Sequence, residues 1–345
     1  MKSKCMKKEM KNFNREDHTF IIAEVSANHG QDFDRAVEMV KTAKECGADA
    51  VKFQCFKPET LTLNCDNKYF QVEHPQWGGQ TLYELYKKAY TPWEWFPKLK
   101  EVAEKEDILF FATTFDKSST DFLEELDVPI HKIASFELVD LPLIKYTAKT
   151  KKPLIISTGM GSMEEIKEAV DIAKKQGVED LTLLKCVSSY PAEPEEINLK
   201  TLPDMKERFD CKIGLSDHTL GIGVSIAAVA LGARVIEKHF TLSRDIKTPD
   251  SFFSIEPDQL KELVENNRIA EKAIGEIHYG LTEKEKQSKV FRRSLFAVKD
   301  IKKDEEFTEE NVKSIRPGYG LKPKYLAQML GKKAKEDIGK GIPLR

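Results

Sequence analysis

Apolar and polar positions along this chain repeat in units: a short β-branched run, then a longer stretch whose apolar residues recur at three- and four-residue spacing. The first unit is F-I-I-A-E-V-S at 20–26 followed by D-R-A-V-E-M-V-K-T-A-K-E-C-G, with Ala36, Val37, Val40 and Ala43 on one helical stripe, Asp34 near its start and Gly47 as its stop. Strand-like runs return at 48–54, 108–114, 130–135, 153–158, 181–187, 212–218 and 235–240. Eight strands separated by helices predict right-handed parallel units, and that number fits a closed (β/α)8 TIM barrel better than an open sheet. An open doubly wound sheet needs a glycine-rich turn after its first strand. The A-N-H-G-Q-D-F found there is not G-x-G-x-x-G.

Three stretches break the rhythm. Residues 1–17 are polar and lysine-rich and read as a flexible N-terminus. Between the second and third strands, Lys57 to Leu99 form a long insertion holding all three tryptophans, at 77, 93 and 95; such an insertion covers a site, forms an oligomer contact or simply packs. After Gly275 a polar connector, 276–290, leads into a turn-rich β module at 291–345, which is small for independent stability. The barrel is thus expected at 18–275.

Composition narrows the class. With 345 residues, 40% hydrophobic and 32% charged, the chain fits a globular protein of two domains, or of one large domain with a small appendage. It has no apolar run of membrane-spanning length, and its first residues lack a signal peptide's apolar core, so a cytoplasmic protein without a membrane partner is expected. Six scattered cysteines with no C-x-x-C pair suggest reduced thiols. A net charge of −2 gives no reason to invoke nucleic acid. Lys289 to Arg345 nevertheless carry a surplus of +7, either a solvated surface or help in meeting an anion.

The candidate chemistry lies at the strand ends, where barrels of this kind place reactive groups. In the run from Lys212 to Phe240, one strand ends in Ser216, Asp217 and His218 and the next in Glu237, Lys238 and His239. Strand periodicity puts Ser216 and His218 on one face, and likewise Val235, Glu237 and His239. Were the strands parallel neighbours about 4.8 Å apart, both imidazoles would reach one divalent metal at bonds of about 2.1 Å. The competing reading is a pair of ordinary hydrogen-bonded histidines. Lys52 and Lys132, with several hydroxyls, suit a phosphate and a carboxylate, and two lysines inside a barrel mouth would be costly without an anion.

With those residues in view, A-E-V-S-A-N-H, V-K-F-Q, K-I-A-S-F-E, S-T-G-M, C-V-S-S-Y-P, G-L-S-D-H-T, E-K-H-F and R-P-G-Y-G occur in order, and the chain from about 18 to 345 resembles the sialic acid synthase family. The resemblance implies a TIM barrel joined to a C-terminal antifreeze-like (SAF, β-clip) domain, and condensation of phosphoenolpyruvate with an acetamido sugar. It implies that His218 and His239 bind Mn²⁺ or Mg²⁺. Lys52, Lys132, Ser135, Ser157, Ser188 and Ser216 would hold phosphoenolpyruvate, with Gln54 nearby. Glu24, Tyr190 and Asp250 would contact the sugar, and Glu137 would share its pocket. Glu24 is the first candidate for proton transfer, with Glu137 or a metal-bound water as alternatives. Arg316 would reach the sugar's acyl group from a partner subunit, which implies a domain-swapped homodimer.

Within the family, Ser188 stands where the neuraminate branch typically has Asn, and the details resemble the branch that takes 2,4-diacetamido-2,4,6-trideoxy-L-altrose. Neuraminate and legionaminate synthesis are the neighbouring alternatives. Two more distant readings are a lyase that uses Lys132 or Lys52 as a Schiff-base nucleophile and a noncatalytic carbohydrate binder.

Overall fold

The computed structural model describes residues 10, 13–15 and 17–345. Strands β1 (Phe20–Glu24), β2 (Ala50–Cys55), β3 (Leu109–Thr114), β4 (His131–Ile133), β5 (Leu154–Ser157), β6 (Leu181–Cys186), β7 (Lys212–Asp217) and β8 (Val235–His239) pair in parallel in chain order. β8 pairs back onto β1, so the sheet closes into the eight-stranded barrel that the strand count predicts. All five residues of β1 are buried, which is why it reads as an unbroken apolar run rather than an alternation.

Local chemistry sets the element boundaries. In the first barrel helix, Phe33–Glu45, Asp32 is the cap: its carboxylate accepts the Arg35 N–H, while Asp34 sits in the first turn. Ala36, Met39, Val40 and Ala43 face the core, and Val37, placed there by spacing, is only half-buried. Gly47 follows the helix at φ +88°, a left-handed conformation that suits glycine.

Much of the lysine-rich terminus, expected to be flexible, lies outside the described residues. Phe13 within it is buried, edge-on to Phe20 at 5.1 Å and beneath the Lys212 ammonium. Cys5 also lies outside; the other five cysteines are free thiols. The insertion after β2 carries two short helices, Pro58–Leu61 and Leu82–Ala89. Trp93 stacks on Phe122 and Trp95 packs edge-on against His29 and Phe33, so these two serve packing.

The chain divides into two compact units, Met1–Gly275 and Glu276–Arg345. In the second, β9 (Ser294–Ala297) and β10 (Val312–Ile315) pair antiparallel over a core of Leu295, Ala297, Ile301, Phe307, Val312, Ala334 and Leu344. No helix among the described residues is long and apolar enough to cross a membrane.

Register is what assembles the site. Glu24 lies beside Lys52 on one side and His239 on the other, and Ser216 lies beside Glu237. The carboxyl ends of β1, β2, β7 and β8 therefore bring their polar residues to one mouth. Behind the histidines, Lys238 and Asp217 form a buried ion pair of 2.9 Å, and the same carboxylate accepts from Thr219 and Ser225. A charge buried there is held only because it is paired and hydrogen-bonded.

Candidate active site

Both lysines are buried, and both have carboxylate partners inside the barrel. Lys52 Nζ lies 2.6 Å from Glu24 Oε2 and 3.6 Å from Glu237 Oε1, and donates to Thr113 Oγ1 at 2.6 Å. Lys132 Nζ lies 4.0 Å from Glu237 Oε1 and donates to Ser157 Oγ at 2.6 Å and to the Ile133 carbonyl. The expected cost of two unmatched cations is thus met within the protein, by Glu24 and Glu237. Gln54, two residues beyond Lys52 and on the same face, donates to Glu24 Oε1 at 3.2 Å.

The two carboxylates differ in their charge state. Burial, reinforced by Glu237, outweighs Lys52 and pushes Glu24 up to about 7. Burial also acts to raise Glu237, but Lys132 and Lys52 outweigh it and hold that carboxyl below its ordinary value. Glu237 is then the fixed anion between two lysines, and Glu24 the group able to exchange a proton near neutrality. Burial lowers Lys132, against the pull of Glu237.

Hydroxyls line the adjoining wall. Ser216 Oγ donates to Glu237 at 3.3 Å, Ser135 Oγ accepts the Gly159 N–H at 3.1 Å, and Ser188 Oγ is buried with no protein partner. Gly159 keeps this wall open: a Cβ there would fall 2.3 Å from Ser188 Oγ and 2.7 Å from Ser135 Oγ. The predicted residues Ser135, Ser157, Ser188 and Ser216 thus stand on the β4–β7 side of the mouth, with Lys132, while Lys52 comes from β2. An unpartnered buried hydroxyl and two ammonium groups suit an anion bearing several oxygens.

His218 and His239 meet on one side of the sheet, their ring centroids 5.2 Å apart. His218 Nδ1 donates to the Val187 carbonyl at 2.7 Å, which turns Nε2 toward any ligand. Burial acts to lower His218, but Cys186, the Val187 carbonyl and Asp217 outweigh it and raise the ring above its ordinary value, so a metal at Nε2 would have to displace a proton. His239 Nδ1 is buried without a partner. Burial, aided by His218 and the nearby lysines, holds His239 well below its ordinary value and so neutral, the form a metal requires. The pair fits a divalent cation by donor chemistry. Among the described residues no group of three His, Cys, Asp or Glu side chains is arranged to hold one, so the protein would supply two ligands.

The remaining predicted residues surround the histidines. The Tyr190 ring lies 4.3 Å from His218 and 6.1 Å from His239. Asp250 Oδ2 accepts from Ser26 Oγ at 2.5 Å and from the Ala27 N–H at 3.1 Å. Glu137 has one buried oxygen without a partner, and burial, opposed by Lys132, pushes its carboxyl up to about 7. Arg316 belongs to the second unit, where it is exposed just beyond β10.

Two residues, Thr113 and Gly159, escaped the sequence reading as site members, and a third, Glu237, stood in it as a strand-end carboxylate without its part as counter-ion to both lysines. Glu237 shares a face with His239 by the period-two rule, and that was its signal. Thr113 and Gly159 stood within the strand-end runs A-T-T and S-T-G-M, but their roles depend on neighbours distant in sequence.

Known proteins bear on this mouth. Residues 39–279 match the NeuB family model, and residues 292–345 match the SAF domain. The chain is 47% identical to a pseudaminic acid synthase of Campylobacter jejuni, covering 97% of each chain. It is 43% identical to a pseudaminic acid synthase of Helicobacter pylori, covering 94% of this chain and 96% of the other. A crystal structure of an N-acetylneuraminic acid (sialic acid) synthetase from Leptospira borgpetersenii, in complex with citrate, superposes with a TM-score of 0.70 at 36% identity, covering 78% of this chain and 90% of that one.

Proposed function

The chain belongs to the NeuB family, and from that premise we propose that it condenses phosphoenolpyruvate with 2,4-diacetamido-2,4,6-trideoxy-L-altrose, giving pseudaminic acid and phosphate. The observation that carries this reading is the meeting of two buried lysines and an open hydroxyl wall with a paired, neutralisable histidine site at one barrel mouth.

Lys52, Lys132, Ser135, Ser157, Ser188 and Ser216 hold the phosphate and carboxylate of phosphoenolpyruvate, with Gln54 beside them. His218 and His239 hold Mn²⁺ or Mg²⁺, which when bound supplies Lewis-acid polarisation of the open-chain sugar's aldehyde. Tyr190, Asp250 and Glu137 orient the sugar. The C2=C3 π pair of the enol phosphate bonds C3 to the aldehyde carbon, whose C=O π pair takes up a proton; water bonds to C2 and gives up a proton, and the C2–O bond breaks to release phosphate. Glu24, poised near neutrality beside Lys52, exchanges the proton. Arg316 is assigned to the sugar's acyl group in the barrel of a second copy, which makes the working unit a domain-swapped homodimer. Its need for phosphoenolpyruvate, a product of central metabolism, sets it in the cytoplasm.

Phosphate release from phosphoenolpyruvate, measured over a panel of acetamido sugars with and without EDTA, tests the proposal. Turnover with the 2,4-diacetamido-trideoxy sugar, little with acetyl-mannosamine and loss in EDTA are expected. Preference for acetyl-mannosamine or the legionaminate precursor would overturn the sugar assignment, and no release with any sugar would overturn the reaction.

A further inference from the structure

We propose that Trp77, on the long insertion after β2, is a specificity-determining residue whose indole face packs against the deoxygenated C6 end of the sugar. The inference rests on the reaction proposed above. Trp77 does not pack into the core as Trp93 and Trp95 do. It is half-buried, tilted against Tyr190 at 5.6 Å between ring centroids, edge-on to Phe252 at 6.0 Å, and stacked on His74 at 4.3 Å. Its indole N–H donates to the Pro249 carbonyl at 2.6 Å, one residue before Asp250.

Two consequences follow from this geometry. The Tyr190 ring contacts both His218, at 4.3 Å between centroids, and Trp77, at 5.6 Å, and so links the histidine pair to the insertion. A sugar with its aldehyde at the histidines extends along Tyr190, and its far end falls at the next ring, Trp77. The second consequence concerns what that ring offers. Its one polar group is committed to a backbone carbonyl and one face is covered by His74, so the rest of the ring presents carbon surface: a methyl group gains by contact with it, and a hydroxyl is desolvated without a partner. Trp77 therefore favours a CH₃ terminus over CH₂OH, the feature that separates a 6-deoxy sugar from its 6-hydroxy counterpart.

The test compares wild type, Trp77→Phe and Trp77→Ala on two substrates differing only at C6: 2,4-diacetamido-2,4,6-trideoxy-L-altrose and its 6-hydroxy analogue. Thermal melts establish that each variant is folded. In wild type the 6-deoxy sugar should win by about tenfold or more in kcat/KM, the scale of discrimination an apolar pocket achieves. Trp77→Ala should bring that ratio close to one, mainly by raising KM for the 6-deoxy sugar, while KM for phosphoenolpyruvate stays fixed. Trp77→Phe should keep most of the preference. An unchanged ratio in Trp77→Ala, or an equal loss on both sugars, overturns the inference and leaves the reaction standing. Failure of wild type to release phosphate with either sugar removes the underlying reading, and this inference with it.

Discussion

The Lys52 ammonium lies 2.6 Å from a Glu24 carboxylate oxygen, with side chains only 3% and 1% exposed. Neither charge is tolerable there alone, so each residue fixes the position of the other. Yet burial keeps Glu24 near 7, and in the proposed reaction this lets one contact serve both anion binding and proton exchange. Glu24→Gln preserves the shape but removes the exchangeable proton and one of the two acceptor oxygens that face Gln54 and Lys52. We expect kcat to fall about 10²- to 10⁴-fold with little change in KM for phosphoenolpyruvate. Lys52→Met should instead raise that KM by about tenfold or more, since a lost charge-assisted contact is worth at least 1.4 kcal/mol, about a factor of ten. Steady-state kinetics on both variants checks the division of labour; a raised KM in Glu24→Gln with kcat intact contradicts it.

Gly159 is where the wall of hydroxyls is most easily closed. A methyl group there would lie 2.3 Å from Ser188 Oγ and 2.7 Å from Ser135 Oγ, well inside contact distance. Its backbone is not in the left-handed region, so alanine adds steric bulk without backbone strain. Gly159→Ala should weaken phosphoenolpyruvate binding about tenfold or more in calorimetry while the unfolding midpoint shifts little. Unchanged affinity would show that the anion does not sit against this wall.

Glu137 carries a pH dependence of stability that one substitution isolates. Its carboxyl rises from 4.5 to about 7 on folding because burial disfavours the anion. Between those values the folded state binds more protons than the unfolded one, so its contribution to stability falls as pH rises through that window. Glu137→Gln removes the term. The variant should match or trail wild type at pH 4.5 and gain on it toward pH 8, by about 1–3 kcal/mol. Urea melts across this range check the crossing; a constant difference between the two proteins would contradict it.

Metal dependence follows from the histidine pair. His218→Ala and His239→Ala should each weaken Mn²⁺ binding in equilibrium dialysis by more than the about 10- to 100-fold that losing a ligand's outer-shell partner costs, since each removes one of two protein ligands. EDTA should abolish phosphate release and Mn²⁺ restore it. Borohydride with substrates should add no mass to the protein, because the proposed reaction uses the lysines as cations and not as Schiff-base nucleophiles. A trapped adduct on Lys52 or Lys132 would reverse that assignment.

The fold was legible because each barrel unit repeats one pattern, and a parallel strand covered on both faces betrays itself as a short apolar run. The histidine pair was legible for a related reason: period two puts His218 and His239 on one face once their strands are neighbours. The same rule sends Lys238 to the opposite side, where it pairs with Asp217. What sequence could not disclose was compensation across strands. Glu237 neutralises Lys52 and Lys132 from elements far apart in the chain, and Gly159 matters only through Ser135 and Ser188. Trp77 looked like the other two tryptophans because composition carries no information on which ring turns toward the mouth.

The central claim is that one barrel mouth holds a cation between two imidazoles and an enol phosphate among lysines and serines. Crystals grown with Mn²⁺ and phosphoenolpyruvate, measured at the manganese absorption edge, test it most directly. The account predicts one anomalous peak bonded to His218 and His239, with the phosphate and carboxylate against Lys52, Lys132 and the Ser135–Ser188 wall. A manganese peak bonded to neither histidine, or phosphoenolpyruvate bound away from both lysines, would contradict it.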